Sequence, residues 1–181
     1  LSYDSYGRLS AHIDFKGQKQ IIIYDNQGRI AKRQYFAVGE STSKNEVEYK
    51  YDSVGRLSSI FQKNTSEDPR ETHYTYDVRG RLTQKSTPAG TINYDYDPVS
   101  GFFQRTRTAY NDINYTYNSS GHLSTINITV KNGKVLSSPE VIRYSYNNMG
   151  QKESVILPNG IKTTFRYDNL NRLDRLTHID T

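Results

Sequence analysis

Short runs in which large apolar residues alternate with polar ones recur along the whole chain. Tyr49 and Tyr51, Tyr74 and Tyr76, Tyr94 and Tyr96, Tyr115 and Tyr117, Tyr144 and Tyr146, and Phe165 and Tyr167 each stand two positions apart. That spacing puts both rings of a pair on one face of a β-strand. Leu9, Ala11, Ile13 and Phe15 alternate likewise, and Leu57, Ser59 and Phe61 do so more thinly. Turn signals interrupt these runs about every ten residues, and no sustained 3.6-residue stripe is present. Leu170, Leu173 and Leu176 are spaced by three, but the surrounding register predicts a turn followed by a strand over 169–181.

The turns between aromatic and aliphatic runs share one signature: Tyr-Asp, two variable residues, then Gly-Arg-Leu. It reads Tyr3, Asp4, Gly7, Arg8, Leu9; Tyr24, Asp25, Gly28, Arg29, Ile30; Tyr51, Asp52, Gly55, Arg56, Leu57; and Tyr76, Asp77, Gly80, Arg81, Leu82. Later copies drift: Tyr96 and Asp97 reach Gly101 one residue late. Tyr117, Asn118, Gly121 and His122 follow, then Tyr146, Asn147, Gly150 and Gln151, and finally Tyr167, Asp168, Asn171 and Arg172. The eight motif tyrosines lie 21, 27, 25, 20, 21, 29 and 21 residues apart. A unit near the shortest of these intervals, lengthened by insertions, is the mark of a repeat array.

Asp or Asn first and Gly fourth is the residue preference of a type I turn. The Asp side chain accepts backbone amides inside the turn, and Gly takes the positive φ from which the next strand resumes through a bulge. Asn118 and Asn147 keep the acceptor oxygen, and Asn171 is the side chain best suited to replace a left-handed Gly. The second strand of each unit ends in a variable turn, marked by Phe15-Lys16-Gly17-Gln18, Thr87-Pro88-Ala89-Gly90, Lys131-Asn132-Gly133-Lys134 or Leu157-Pro158-Asn159-Gly160. The expected fold is all-β: an antiparallel meander of repeated β-hairpins, with strands of roughly five to eight residues, forming a twisted, spiralling sheet or partial shell. Polar stretches at 37–45, 63–71 and 136–140 are expected to be loops that absorb the insertions at the edge opposite the fixed turns.

Composition changes this picture little. Only 34% of residues are hydrophobic, sixteen tyrosines included, which is thin for a globular core and favours stabilisation by neighbour contacts. Cysteine is absent, so there is no disulfide framework or thiolate metal site. No apolar run is long enough for a membrane span. The net charge of +5 follows the repeat without clustering, so no nucleic-acid partner is expected. The chain opens without Met just ahead of a motif and is expected to be one array, 1–181, cut from a larger protein.

On these motifs the chain resembles the YD-repeat, or RHS-repeat, family, which includes RHS polymorphic toxins, Tc toxin cocoons and teneurins. The resemblance implies a non-catalytic structural scaffold. It would be part of a secreted or cell-surface β-shell that encapsulates or displays a toxin or effector. Implied partners are neighbouring YD repeats or shell domains, an encapsulated effector, or a surface glycan. Eight copies are too few for a full closed shell. The autoproteolytic aspartate site that closes RHS shells has no counterpart, because Asp97-Pro98-Val99-Ser100-Gly101 sits within the repeat register as a turn with one inserted residue.

Chemical alternatives are weaker. One carboxylate per unit, often replaced by Asn, is a turn cap and not a calcium ligand set, so no metal and no cofactor are expected. Arg8, Arg29, Arg56, Arg81 and Arg172 each adjoin an Asp-bearing turn, which predicts a structural ion pair or a stack on a motif tyrosine. Loss of this Arg at His122 and Gln151 is expected to be tolerated because neighbouring copies share the load. His12, His73, His122 and His178 lack metal-ligand spacing and a nearby nucleophile motif, so no enzymatic activity is expected. Rows of Tyr on a sheet are the one feature that suits a ligand, since aromatic faces stack on sugar rings. Carbohydrate binding or cell-surface adhesion is therefore the alternative function.

Overall fold

The computed structural model describes residues 1–180 and contains β-strands joined by turns. The strands are β1 (Ser2–Tyr3), β2 (Leu9–Ile13), β3 (Lys19–Tyr24), β4 (Ile30–Phe36), β5 (Asn45–Tyr51), β6 (Leu57–Asn64), β7 (Glu67–Tyr76) and β8 (Leu82–Thr87). They continue as β9 (Gly90–Tyr96), β10 (Phe103–Arg107), β11 (Asp112–Tyr117), β12 (Leu123–Lys131), β13 (Lys134–Tyr146), β14 (Lys152–Ile156), β15 (Lys162–Tyr167) and β16 (Leu173–Ile179). They form a 16-stranded antiparallel sheet whose spatial order is the chain order, the meander expected from the sequence. The chain divides into two compact units, Leu1–Thr91 and Ile92–Thr181.

In the first unit, period-two alternation gives the sheet two unlike faces. Ile22, Arg33, Val47 and Gln62 form one cross-strand row, and Tyr49, Ile60 and Thr72 form another on the same face. Ile23, Lys32, Glu48, Phe61 and Glu71 form a row on the opposite, more polar face. There Lys32 Nζ bridges Glu46 at 2.8 Å and Glu48 at 3.1 Å. The second unit repeats the division. Tyr115, Ile126 and Ile142 share one face, as do Tyr144, Val155 and Thr163. Thr116 and Thr125 join hydroxyls at 2.7 Å on the other face, as Ser145 and Ser154 do at 2.8 Å.

Strands touch only their chain neighbours within each unit, so neither unit has a second layer among the described residues. Burial reflects this: among the described residues Ile22 is the one buried apolar side chain, and no large side chain is fully enclosed. Cohesion must come from main-chain ladders and cross-strand pairs more than from a two-sided core. Register slips by one residue at motif tyrosines, between Ile23 and Tyr24, Lys50 and Tyr51, Thr75 and Tyr76, Thr116 and Tyr117, Ser145 and Tyr146, and Arg166 and Tyr167. A bulge therefore recurs at each of these turns, where it raises local twist.

Two of the three expected loops are strands. Residues 63–71 belong mostly to β6 and β7, which close through a tight turn in which the Ser66 amide donates to Asn64 Oδ1 at 2.8 Å. Residues 136–140 lie inside β13, which runs for 13 residues. Their polarity misled because a ladder is built from main-chain groups, and both insertions lengthen a hairpin whose flanks are exposed. Only the stretch before Asn45 leaves the sheet, and it is tied back by the Lys44 amide, which donates to the Tyr35 carbonyl at 2.8 Å.

Candidate functional site

The motif copies, the lengthened fifth apart, close the same turn. In the first copy the Gly7 amide donates to the Asp4 carbonyl at 3.0 Å and the Asp4 amide to the Arg8 carbonyl at 2.8 Å. Asp4 Oδ1 accepts the amides of Tyr6 and Arg8, both at 2.9 Å, while Oδ2 accepts Arg8 Nε at 2.7 Å. Asp25 with Arg29, Asp52 with Arg56, Asp77 with Arg81, and Asp168 with Arg172 repeat the Nε contact at 2.6–2.8 Å. Asn118 and Asn147 keep the amide-accepting role through Oδ1. Gly7, Gly28, Gly55, Gly80, Gly101, Gly121 and Gly150 all take positive φ, as does Asn171 at 62°.

The same side chains reach forward to the next copy. The guanidinium of Arg8 lies 4.2 Å from the ring centroid of Tyr24, that of Arg29 4.1 Å from Tyr51, and that of Arg56 4.8 Å from Tyr76. Arg56 Nη1 also donates to the Asp77 carbonyl at 3.1 Å. The ion pair and the aromatic stack expected as alternatives are thus made together by one planar group with a fixed fork of donors. Tyrosine reaches back in return. The hydroxyls of Tyr24, Tyr51, Tyr76, Tyr146 and Tyr167 donate to the carbonyls of Leu9, Ile30, Leu57, Leu123 and Lys152 at 2.8–2.9 Å.

Where Arg is missing, another side chain takes its place. Phe102 lies 4.7 Å from the Tyr117 ring at 30°, and His122 stacks 4.7 Å from Tyr146 at 25°. Gln151 is held by the Asn147 side-chain amide at 2.8 Å and donates to Asn171 Oδ1 at 3.4 Å. Each of these copies therefore keeps its own forward contact. The signal for Phe102 was its place directly after Gly101, the position Arg holds elsewhere. A further Asp-x-x-Gly turn, Asp14 to Gly17, lacks Tyr and Arg. Asp14 Oδ1 accepts the amides of Lys16 and Gln18 there at 2.8 and 2.9 Å.

Electrostatics follow the turns. Partial desolvation is the largest single influence on the carboxyls of Asp4, Asp25, Asp52 and Asp77 and pushes them up. Hydrogen bonds from the following Arg and from turn amides outweigh it and hold all four below the ordinary carboxylate value. On Asp168 the Arg172 amide and side chain are the leading influences and lower it too. Glu46, on the polar face, is pulled down to about 2 by hydrogen bonds from Lys32, Ser43 and Gln34.

Chemistry beyond the repeat is sparse. A cavity of about 450 Å³ at the variable-turn end of the first unit is lined by residues that include His12, Asp14, Gln20, Tyr35, Phe36 and Lys44. Three histidines have other contacts: His122 with Tyr146, His178 Nδ1 with Thr163 Oγ1 at 2.9 Å, and His73 with Glu71 at 3.5 Å. No group of three potential metal ligands occurs among the described residues, and no helix among them is long and apolar enough to cross a membrane. Tyr24, Tyr51 and Tyr76, which would serve a glycan surface, have a ring face against Arg and the hydroxyl bonded to backbone.

Comparison with known proteins agrees with this geometry. The family model described as Teneurin YD-shell matches residues 1–178. Mouse teneurin-3 is 24% identical over 200 residues, covering 98% of the chain and 7% of that protein. The "Probable deoxyribonuclease RhsB" of Dickeya dadantii (strain 3937) is 24% identical over 192 residues, covering 95% of the chain and 12% of that protein. Among solved structures, TcdB2-TccC3 without its hypervariable C-terminal region shares the fold with a TM-score of 0.78 at 14% identity. That match covers 98% of this chain and 11% of that one. The chain thus spans a small fraction of the relatives it matches.

Proposed function

The chain belongs to the teneurin YD-shell family, and on that premise we propose that it is a non-catalytic wall segment of a β-shell. The supporting observation is the forward and backward ladder: Arg8, Arg29, Arg56, Phe102 and His122 each engage the next motif tyrosine, and the hydroxyls of Tyr24, Tyr51, Tyr76, Tyr146 and Tyr167 engage the preceding carbonyls. Such a device stabilises a broad sheet without a second layer, which is what a wall requires. In this reading the Tyr, Asp, Gly and Arg of each motif are structural ties, and the segment is one stretch of a longer array that encloses or displays an effector outside the cell or at its surface.

Electron microscopy of the polypeptide that carries this segment tests the reading. Density for residues 1–180 is expected in the wall of a hollow particle. A sheet standing free in solvent on both faces, or packed on a second layer as a filled globule, contradicts it.

A further inference from the structure

The fifth motif copy departs from the others in one chemically specific way. In five copies the Asp Oδ2 accepts an Arg Nε at 2.6–2.8 Å. In the fifth the Asp is retained, but the Arg position is Phe102, and the turn is one residue longer. The Asp97 amide donates to the Phe102 carbonyl at 2.8 Å and the Gly101 amide to the Asp97 carbonyl at 2.9 Å. Asp97 Oδ1 accepts Val99 N at 3.1 Å, Ser100 N at 2.6 Å and Ser100 Oγ at 2.8 Å. Asp97 Oδ2 has no partner among the described residues. Hydrogen bonds from Ser100 are the main cause of a lowered carboxyl, so the group is ionised at neutral pH.

Next to this carboxylate is an aromatic surface. Phe102 is 42% exposed, and a cavity of about 310 Å³ is lined by Asp97, Ser100, Phe102, Phe103, Gln104 and Tyr115, with Thr116 and Tyr117 completing it. Phe103 lies 4.9 Å from Tyr115, and Phe102 covers the Tyr117 ring, so the outer surface of the cavity is aromatic. Elsewhere in the chain the same carboxylate is matched to a guanidinium that also lies on an aromatic ring. In those copies the ring is the next motif tyrosine; here Phe102 already lies on that tyrosine, Tyr117, and its own exposed ring is the aromatic surface left beside the carboxylate.

We propose that the fifth copy is a docking site for the guanidinium of an arginine side chain presented by a partner polypeptide, with Asp97 Oδ2 as the acceptor and Phe102 as the platform. A guanidinium suits it better than an ammonium because it is planar, donates in a fork and stacks on rings. The site depends on this copy alone and stands whether or not the sheet encloses anything.

The test is titration of the full chain with N-acetyl-L-arginine amide, read by backbone amide NMR shifts of Val99, Ser100 and Phe102. Saturable shifts are expected, with N-acetyl-L-lysine amide binding more weakly. Asp97→Asn keeps the turn acceptor, as Asn118 and Asn147 do, and is expected to weaken binding roughly tenfold by losing a charge-assisted bond. Phe102→Arg supplies the motif's own arginine and is expected to abolish binding while leaving amide shifts elsewhere unchanged. Absence of saturable shifts in the unaltered chain, or equal binding by Asp97→Asn, overturns the proposal. Tighter binding of a neutral sugar such as glucose at the same amides overturns it as well.

Discussion

Tyr51→Phe isolates the backward tie between repeats with a single atom. The Tyr51 hydroxyl donates to the Ile30 carbonyl across 21 residues of sequence at 2.8 Å. The ring, its stack with Arg29 and the strand pairing all survive the change. A hydrogen bond of this kind contributes about 1 kcal/mol net, and the carbonyl left behind can be rehydrated only in part because the site is half-buried. For a chain of this length about 1 kcal/mol corresponds to a Tm decrease of roughly 2–4 °C. Tyr49→Phe is the internal control: it lies two residues away on the same strand and face, and no hydrogen bond to its hydroxyl occurs among the described residues. Urea and thermal unfolding of both variants, followed by far-UV circular dichroism, should place Tyr51→Phe below the parent and Tyr49→Phe level with it. Equal losses, or no loss at Tyr51, would refute the claim that these hydroxyls join one repeat to the next.

Two further outcomes follow from the turns and the polar face. Gly7→Ala and Gly121→Ala both force a side chain into positive φ, at about 1–2 kcal/mol. A Cβ at Gly121 would also stand 3.0 Å from the Phe102 ring, whereas one at Gly7 meets nothing within 4 Å. Gly121→Ala should therefore show the larger Tm decrease and should disturb Phe102 resonances. Glu46 is held at about 2, against an ordinary value of 4.5. Its folded-state value is depressed, so its contribution is complete above pH 4.5 and is lost as pH falls from there through about 2. Stability of Glu46→Gln measured against pH should be flatter over that window and should meet the parent curve at its acid end.

The fold was legible because its two signals are local. Aromatic alternation fixes strands, and Asp-x-x-Gly fixes turns, so even Leu170, Leu173 and Leu176 could be placed in turn and strand despite their helical spacing. The ties between repeats were legible only in part. Arg next to an Asp-bearing turn suggested a pair or a stack, but that one guanidinium makes both depends on a strand spacing that only coordinates supply. The tyrosine hydroxyl bonds left no trace, since their acceptors are backbone carbonyls and any residue can provide one. His122 and Gln151 read as losses because the motif was compared by residue type. What is retained at Phe102 and His122 is a flat ring over the next tyrosine, and Gln151 keeps a forward hydrogen bond. The lengthened hairpins at 63–71 and 136–140 were hidden by polar side chains on strands whose pairing is a main-chain matter.

The central claim, that this sheet is a wall with two unlike sides, is tested most directly by labelling neighbouring residues on opposite faces. Thr72 pairs with Ile60 and His73 with Ser59, so the two positions point to opposite sides of β7. Cysteine placed at each in turn, in the polypeptide that carries this segment, is exposed to a small maleimide and then to one bearing a bulky polymer. A wall predicts that both cysteines react with the small reagent and that only the outward one reacts quickly with the bulky one. Equal reaction of both with the bulky reagent would contradict the account.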